Sequence, residues 1–233
     1  TNLLFDDWDI NYIRNSVKVI IDAYNGTTDF YISDPDDPII NTYAKIFKTL
    51  FKPLDSMPED LRAHLRYPQT LFDIQVEIYS KYHIKDAKEF YNKSDVWDIA
   101  TQIYGVSGTT TETMEVESSY LIMKLPDSDK EEFILMVPYT PQGKNNMIAW
   151  FAVKNDGENY GQLKLYNFPS GKIVEGPMQI EGIISQDVTI GNAINLLQSG
   201  GNSQVVRGNM LIIPIEDSIL YVEPIYLRAS NAS

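Results

Sequence analysis

The sequence lacks cysteine altogether and contains only two histidines among its 233 residues. The absence of cysteine excludes a disulfide framework, a thiolate zinc site and a cysteine nucleophile. Basic residues are also scarce, since 19 lysines and arginines stand against 32 aspartates and glutamates, which gives a formal net charge of −13. Because no basic stripe is available to neutralise phosphates, the sequence predicts no nucleic-acid partner.

Long hydrophobic runs and catalytic motifs are missing as well. No apolar segment approaches the roughly 20 residues of a membrane span, and the first residues, TNLLFDDWD, lack the basic and then apolar pattern of a signal peptide. There is no G-x-S-x-G nucleophile elbow and no H-E-x-x-H zinc motif. The sequence therefore predicts no catalytic residue and no cofactor, and it favours a non-enzymatic role.

The N-terminal part shows a hairpin pattern followed by a helical one. Two β-rich runs, 16–24 and 27–33, flank Asn25-Gly26, which predicts a hairpin with a type I′ turn. Asp37 and Pro38 then predict the cap and the first position of an amphipathic helix. We expect its apolar stripe to belong to the core, and the stripe consists of Ile39, Tyr43, Ile46, Phe47 and Leu50.

Further helices are predicted up to about residue 99. The segment Ser56-Met57-Pro58-Glu59 matches a capping box and predicts the start of a second helix. Pro68 ends that helix and starts a third, and short helical turns are predicted after Asp86 and after Ser94. The apolar stripe of the third helix comprises Leu71, Ile74, Ile78 and Tyr82.

Beyond residue 118, β-type runs alternate with turn-forming segments. The predicted strands are 119–125, 131–137, 147–153, 162–168, 177–184, 204–215 and 218–227. A short helix is predicted within 187–200, where apolar residues have helical spacing. Pro138, Pro214 and Pro224 should mark edges, bulges or strand ends, because proline cannot donate to a strand ladder.

These elements predict two lobes that form one compact unit. Residues 1–104 provide a hairpin and a helical lobe, 105–118 a polar loop or linker, 119–229 a β-rich lobe with one short helix, and 230–233 a tail. Several strands are apolar on both faces, so both faces of the sheet must be covered. The predicted fold class is α+β, with a mixed or mainly antiparallel sheet that the first hairpin could extend and with helices of the N-terminal lobe packed on one face.

One basic group in this acidic chain is a candidate ligand site, and it comprises Arg62, His64, Arg66 and Tyr67. A helix beginning near residue 58 would place Arg62 and Arg66 one turn apart, so that both guanidinium groups could hold a carboxylate or a phosphate. The alternative is that the arginines pair with nearby carboxylates of Glu59, Asp60 or Asp73 and bind no ligand.

A second candidate site is acidic. Asp34, Asp36 and Asp37 could present several hard oxygens to calcium, although the spacing does not match an EF-hand loop. The alternative is that Asp37 is a helix cap and that its neighbours lie in a solvated turn. The same choice applies to other acidic turns, which contain Asp127, Asp129, Glu131, Glu132, Asp156 and Glu158.

Several long strings are more particular than propensity alone would produce. They are YIRNSVKVIIDAYNGT, FYISDPDDPII, FKPLDSMPEDLRAHLRYPQTLFDIQ, NMIAWFAVKNDGENYGQLKLYNFP, GPMQIEGIISQD and VVRGNMLIIPIEDSILYVEPIYL. With these strings the chain resembles the extracytoplasmic portion of a large family of uncharacterised multi-pass membrane proteins from actinobacteria, cyanobacteria and clostridia. The resemblance covers nearly the whole chain except the loop over 105–118, while the terminal ASNAS does not fit it.

The resemblance implies that the chain is part of a longer protein of the cell membrane, with several membrane-spanning helices before it and more sequence after it. It supplies no catalytic or binding residues. We therefore expect an extracytoplasmic domain for interaction or sensing, whose partners are its own transmembrane region, envelope components or a second copy. The alternatives are an envelope hydrolase or transferase with dispersed active-site residues, and an accessory domain of a transporter.

Overall fold

The computed structural model describes residues 12–106, 112–169, 171–198, 203–215 and 218–229. The helices are α1 Pro38–Ile46, α2 Glu59–Arg62, α3 Gln69–Tyr82, α4 Ala87–Asn92, α5 Pro177–Gln186 and α6 Val188–Gln198. The strands are β1 Val17–Ile21, β2 Thr28–Ile32, β3 Phe51–Pro53, β4 Trp97–Ile99, β5 Thr101–Val106, β6 Glu112–Glu115, β7 Ser119–Lys124, β8 Glu131–Pro141, β9 Ala149–Lys154, β10 Leu163–Asn167, β11 Ser203–Arg207, β12 Leu211–Ile215, β13 Ser218–Val222 and β14 Ile225–Ala229. Within these ranges, no helix combines the length and the apolar character needed to cross a membrane.

The strands form mainly antiparallel sheets, which confirms the α+β class. The central sheet has the order β10-β9-β8, and both β7 and β4 pair with the far side of β8. The described residues also form three smaller sheets, with the orders β1-β2-β3, β14-β11-β5-β6 and β12-β13. The first hairpin does not extend the central sheet, because β2 pairs in parallel with β3 instead.

The central sheet is covered by α3, as predicted for helices of the N-terminal lobe. The Phe72 ring stacks on Phe151 of β9 at a centroid distance of 5.7 Å, and the Tyr139 hydroxyl of β8 donates to the Val76 carbonyl at 2.6 Å. The predicted apolar stripe of α3 is wrong in its C-terminal half, since Ile78 and Tyr82 are exposed. The helix has apolar residues on two faces, and the aromatic contact of Phe72 decides which face turns inward.

Strand β8 carries proline in a central position without losing its neighbours. Pro138 lies where the partner of β8 changes, because β7 pairs with β8 up to Met136 and β4 pairs with it from Tyr139 onwards. The missing N–H therefore falls at a junction between two ladders. Because β4 comes from the N-terminal part of the chain, the central sheet contains strands from both predicted lobes.

Helix α1 begins as predicted but buries a different face. The Asp37 carboxylate accepts the Ile39 N–H at 2.9 Å, which confirms the predicted cap. The expectation that the apolar stripe belongs to the core is wrong: Ile40 is buried, whereas the exposed residues are Ile39, Tyr43, Ile46, Phe47 and Leu50. We call these five residues the α1 face.

Several local predictions are corrected by backbone geometry. The hairpin loop spans Asp22 to Thr27, and Asn25 does not have the positive φ that a type I′ turn requires. The capping box is not formed, because Pro58 occupies the cap position of α2. Residues after Ser94 form β4 rather than a helical turn, and β6 lies inside the predicted linker.

Residues 177–184, predicted as a strand, form most of α5. Pro177 occupies the first helical turn, and the side chain of Gln179 accepts the Gly176 N–H at 2.9 Å. This start signal outweighs the β-type composition of the segment. The helix predicted within 187–200 is confirmed as α6. The predicted tail, 230–233, lies outside the described residues.

A buried ionic cluster joins α5, β11 and the turn after β13. The Arg207 guanidinium lies 2.6 Å from Glu181 and 2.8 Å from Glu223. Burial raises the pKa of Glu181 to about 8, and the hydrogen bond to Glu223 and its charge add to this shift. Burial and the neighbouring Glu223 therefore favour the protonated form of Glu181.

We predict that Phe72→Ala lowers the free energy of unfolding by about 3–5 kcal/mol, because it removes a fully buried ring from the contact between α3 and the sheet. The matched variant Phe47→Ala should cost less than about 1 kcal/mol, since Phe47 is 50% exposed. Chemical denaturation of the two variants measures both values. Equal losses would contradict the exposure of the α1 face.

We also predict that Glu181→Gln changes the pH dependence of stability. Because the folded pKa is above the ordinary value of 4.5, Glu181 contributes stability that is present below pH 4.5 and lost as the pH rises through about 8. Relative to the variant, the free energy of unfolding of the wild-type protein should fall by on the order of 3 kcal/mol across this window. Denaturation between pH 4.5 and 8, with exposed Glu131→Gln as control, measures the difference; a constant difference would contradict the raised pKa.

Candidate ligand-binding cleft

A cleft of about 690 Å³ lies where the first hairpin meets the turn after β9. One wall comes from β1 and from the segment over residues 54–65, and the other comes from residues 155–160. Leu54, Met57 and Leu65 give it an apolar part. The volume lies in the range of pockets that hold small molecules.

Lys18 of β1 lines this cleft although its side chain is largely buried. The residue is only 9% exposed. Its ammonium Nζ donates to the Tyr160 hydroxyl at 2.5 Å and to the Arg66 carbonyl at 3.2 Å, and it lies 5.0 Å from the centre of the Tyr160 ring. Both acceptors are neutral, and no ion pair to Lys18 occurs in the described ranges. Burial lowers the pKa of Lys18 to about 8.

The turn that carries Tyr160 is fixed to the N-terminal lobe by hydrogen bonds. The Asn155 side chain accepts the Tyr67 N–H at 2.6 Å, and the Tyr160 hydroxyl donates to the Arg66 carbonyl at 3.0 Å. Gly161 has a φ of +81°, and a Cβ there would meet the Tyr67 ring at 3.6 Å. Burial raises the pKa of Tyr160 to about 12, so its hydroxyl keeps its proton beside the ammonium.

Four carboxylates and one further cation lie around the cleft. Arg62 pairs with Asp55 at 3.1 Å, and the Asp156 carboxylate accepts the Phe133 N–H at 2.6 Å. Glu59 and Glu158 are exposed and take part in no ion pair among the described residues. Among the described residues, the cleft therefore combines one buried cation without a counterion and three carboxylates without a cationic partner, namely Glu59, Asp156 and Glu158.

The structure separates the residues of the predicted basic site. Helix α2 ends at Arg62, so the expectation that Arg62 and Arg66 share a helix face is wrong. The Arg66 guanidinium lies over the rings of Tyr120 and Phe133, at 5.3 and 5.6 Å. Ligand binding by the four side chains stays a prediction, and only Arg62 among them lines the cleft.

His64 and Tyr67 have local structural partners. The His64 ring Nδ1 lies 2.7 Å from the Asp60 carbonyl oxygen, and the imidazole is exposed. Tyr67 is buried, and its hydroxyl donates to Gln75 at 3.0 Å. Arg62 pairs with Asp55 rather than with any of the three carboxylates that the sequence suggested.

The predicted calcium residues have other partners. Asp34 pairs with Arg14 at 2.7 Å, whereas Asp37 is buried and accepts hydrogen bonds from Ser16 and Tyr12. Asp36 is exposed, and its N–H donates to Asp34 at 3.2 Å. In the part of the chain that the structure describes, no group of three or more His, Cys, Asp or Glu side chains is arranged to hold a metal ion.

Sequence reasoning missed Lys18 and Tyr160. The available signal was the single lysine within VKVII, where it interrupts an otherwise apolar strand. That pattern normally indicates a solvent-facing lysine on an edge strand. Here the alternation is reversed, because Lys18 is buried while Val19 and Ile21 are exposed.

We predict that Lys18→Met alters the pH dependence of stability in the alkaline range. Because the folded pKa of Lys18 lies below its ordinary value of 10.5, the cost of burying the charge is present below pH 8 and disappears as the pH rises towards 10.5. Relative to the variant, the free energy of unfolding of the wild-type protein should rise by about 2 kcal/mol between pH 7 and 10. Denaturation of both proteins, with exposed Lys88→Met as control, measures the gain; its absence would contradict the burial of the ammonium.

The comparisons with known proteins identify the family. The profile described as Uncharacterised protein family (UPF0182) matches residues 5–197. Three relatives named UPF0182 protein come from Pelotomaculum thermopropionicum, with 53% identity over 222 residues, Alkaliphilus metalliredigens, with 55% over 223, and Microcystis aeruginosa, with 54% over 223.

The matched region covers 95–96% of this chain but only 23–24% of each of these relatives, so the chain spans about a quarter of their length. No solved structure matches the chain. The predicted resemblance to a large uncharacterised bacterial family is confirmed, and the chain belongs to the UPF0182 family.

Proposed function

We propose that this segment is the extracytoplasmic domain of a multi-pass membrane protein and that it binds a small ligand for sensing at the cell envelope. The observation that carries the ligand-binding part is the cleft with the buried, unpaired ammonium of Lys18. A buried cation beside a cavity is an arrangement that favours function over stability, because an unpaired buried charge costs folding free energy.

The position of the cleft supports sensing. Its two walls belong to the hairpin lobe and to the β-rich lobe, and Lys18 contacts Tyr160 across a separation of 142 residues. A ligand that contacts both walls strengthens one arrangement of the lobes over others, which is the physical basis of a ligand response. A matched region that covers about a quarter of its relatives leaves ample further sequence in those proteins to receive such a response.

The α1 face supports interaction with the remainder of the same polypeptide. It places five large apolar side chains on the surface of a chain whose net charge is −13. Exposed apolar clusters of this kind mark contact surfaces. Because about three quarters of the length of the relatives lies outside the matched region, we assign the occupant of the α1 face to that part of the protein.

Cysteine labelling of the full-length protein in intact cells tests the extracytoplasmic location and the occupant of the α1 face. The method suits this segment because it has no cysteine of its own. We expect a membrane-impermeant maleimide to label Tyr24→Cys, which is 99% exposed, and to leave buried Ala152→Cys unlabelled until denaturation. Tyr43→Cys on the α1 face should react in the isolated segment and be protected in the full-length protein.

The experiment has two clear contrary outcomes. If Tyr24→Cys reacts only after the cells are permeabilised, the extracytoplasmic location is wrong. If Tyr43→Cys reacts equally in the isolated segment and in the full-length protein, the assignment of the α1 face to the rest of the polypeptide is wrong.

A further inference from the structure

The Lys18 ammonium, which lines the cleft, has one donor that no described residue accepts. A lysine ammonium offers three N–H donors, and two of them are taken by the Tyr160 hydroxyl and the Arg66 carbonyl. Neither acceptor carries charge, and Tyr160 keeps its proton because its pKa is raised. A ligand anion would therefore supply both the missing hydrogen bond and the missing counter-charge.

The surroundings favour a single carboxylate over a polyanion. Arg62, the other cation of the cleft, is already paired with Asp55. Glu59 and Glu158 line the same cleft and would repel a ligand with several negative charges. The site can therefore neutralise one negative charge only.

The same two carboxylates favour a ligand that also carries a positive charge. Glu59 and Glu158 are exposed, whereas Lys18 is buried, so the two signs of charge lie at different depths of the cleft. Leu54, Met57 and Leu65 provide apolar contact along the wall. A ligand with an anionic end, an aliphatic part and a cationic end matches all three features.

We infer that the cleft binds a zwitterionic amino acid or peptide terminus, with its carboxylate on Lys18 and its cationic group beside Glu59 and Glu158. This inference rests on the proposed ligand-binding function and gives its chemical class. The free amino acid and the peptide share this chemistry, and the volume of about 690 Å³ has room for either.

Calorimetric titration of the isolated segment tests the inference with L-arginine and with the tripeptide Ala-Ala-Arg. We expect binding of at least one of them, at least tenfold weakening for the Lys18→Met variant, and a smaller loss for Glu158→Gln. Exposed Lys88→Met is the matched control and should bind as the wild type does. The relative affinities of the two probes distinguish the free amino acid from the peptide.

Two modified peptides test the two ends of the ligand. Ala-Ala-Arg amide lacks the carboxylate, and N-acetyl-Ala-Ala-citrulline lacks both positive charges, those of the terminal amine and of the arginine side chain. Both should bind at least tenfold more weakly than the parent peptide. Equal binding of the amide overturns the role of Lys18, and equal binding of the citrulline peptide overturns the role of the two glutamates.

A measurement on the wild-type protein covers the case in which Lys18→Met does not fold. Acetylation of Lys18 by an activated ester, followed by mass spectrometry, should slow when Ala-Ala-Arg is present, while acetylation of Lys88 stays unchanged. No protection and no heat with either probe at millimolar concentration overturns the inference. If glutarate or a neutral disaccharide protects Lys18 instead, the zwitterion class is wrong and the ligand-binding function stands.

Discussion

The peptide unit that joins Arg66 to Tyr67 is the point on which the cleft and the two lobes depend. The Arg66 carbonyl accepts hydrogen bonds from Lys18 and from the Tyr160 hydroxyl. The Tyr67 N–H donates to the Asn155 side chain, and the Tyr67 carbonyl accepts from the Tyr120 hydroxyl. Three distant parts of the chain, namely β1, β7 and the turn after β9, are thereby fixed to one short segment. These are backbone groups, so substitutions at 66 and 67 other than to proline leave them in place.

The junction explains why a buried lysine is tolerated without a counterion. Carbonyl and hydroxyl dipoles solvate the Lys18 ammonium in place of water, but they only partly replace a full negative charge. The remaining cost appears as a lowered pKa of the lysine. Elsewhere the chain solves the same problem with ion pairs, as in the contact of Lys154 with Glu132 at 2.7 Å. Lys18 therefore differs from Lys154, because it is buried without a counterion. Its position beside the cleft is the reason for our proposal that it binds a ligand.

Local signals in the sequence were sufficient for much of the fold. Residue type and position predict the cap at Asp37 and the helical turn after Asp86, and both form. Alternating and apolar runs likewise identified β7, β8, β9 and β10. The strand predicted over 177–184 failed, because β-branched and apolar composition is shared by strands and buried helices, and only the proline start distinguishes them here.

Tertiary contacts decided the remaining features. Nothing local shows that α1 buries Ile40 and exposes Tyr43 and Phe47, since both faces of that helix are apolar. The site was harder to predict for the same reason: Lys18 acquires its properties from Tyr160, which lies 142 positions away. Sequence spacing found a basic group at 62–67, but it did not show that the backbone of this segment accepts from Lys18 and donates to Asn155.

In our proposal, this segment of a UPF0182 protein combines a ligand cleft with an apolar contact surface, and the two use different residues. The central claim about the cleft concerns the buried ammonium of Lys18. An NMR titration of the Lys18 side chain, with the carbon next to Nζ labelled, measures its state directly. We expect a pKa near 8 for Lys18 in the free segment and a rise of this pKa when Ala-Ala-Arg binds. A pKa at the ordinary lysine value of 10.5, unchanged by the peptide, would contradict it.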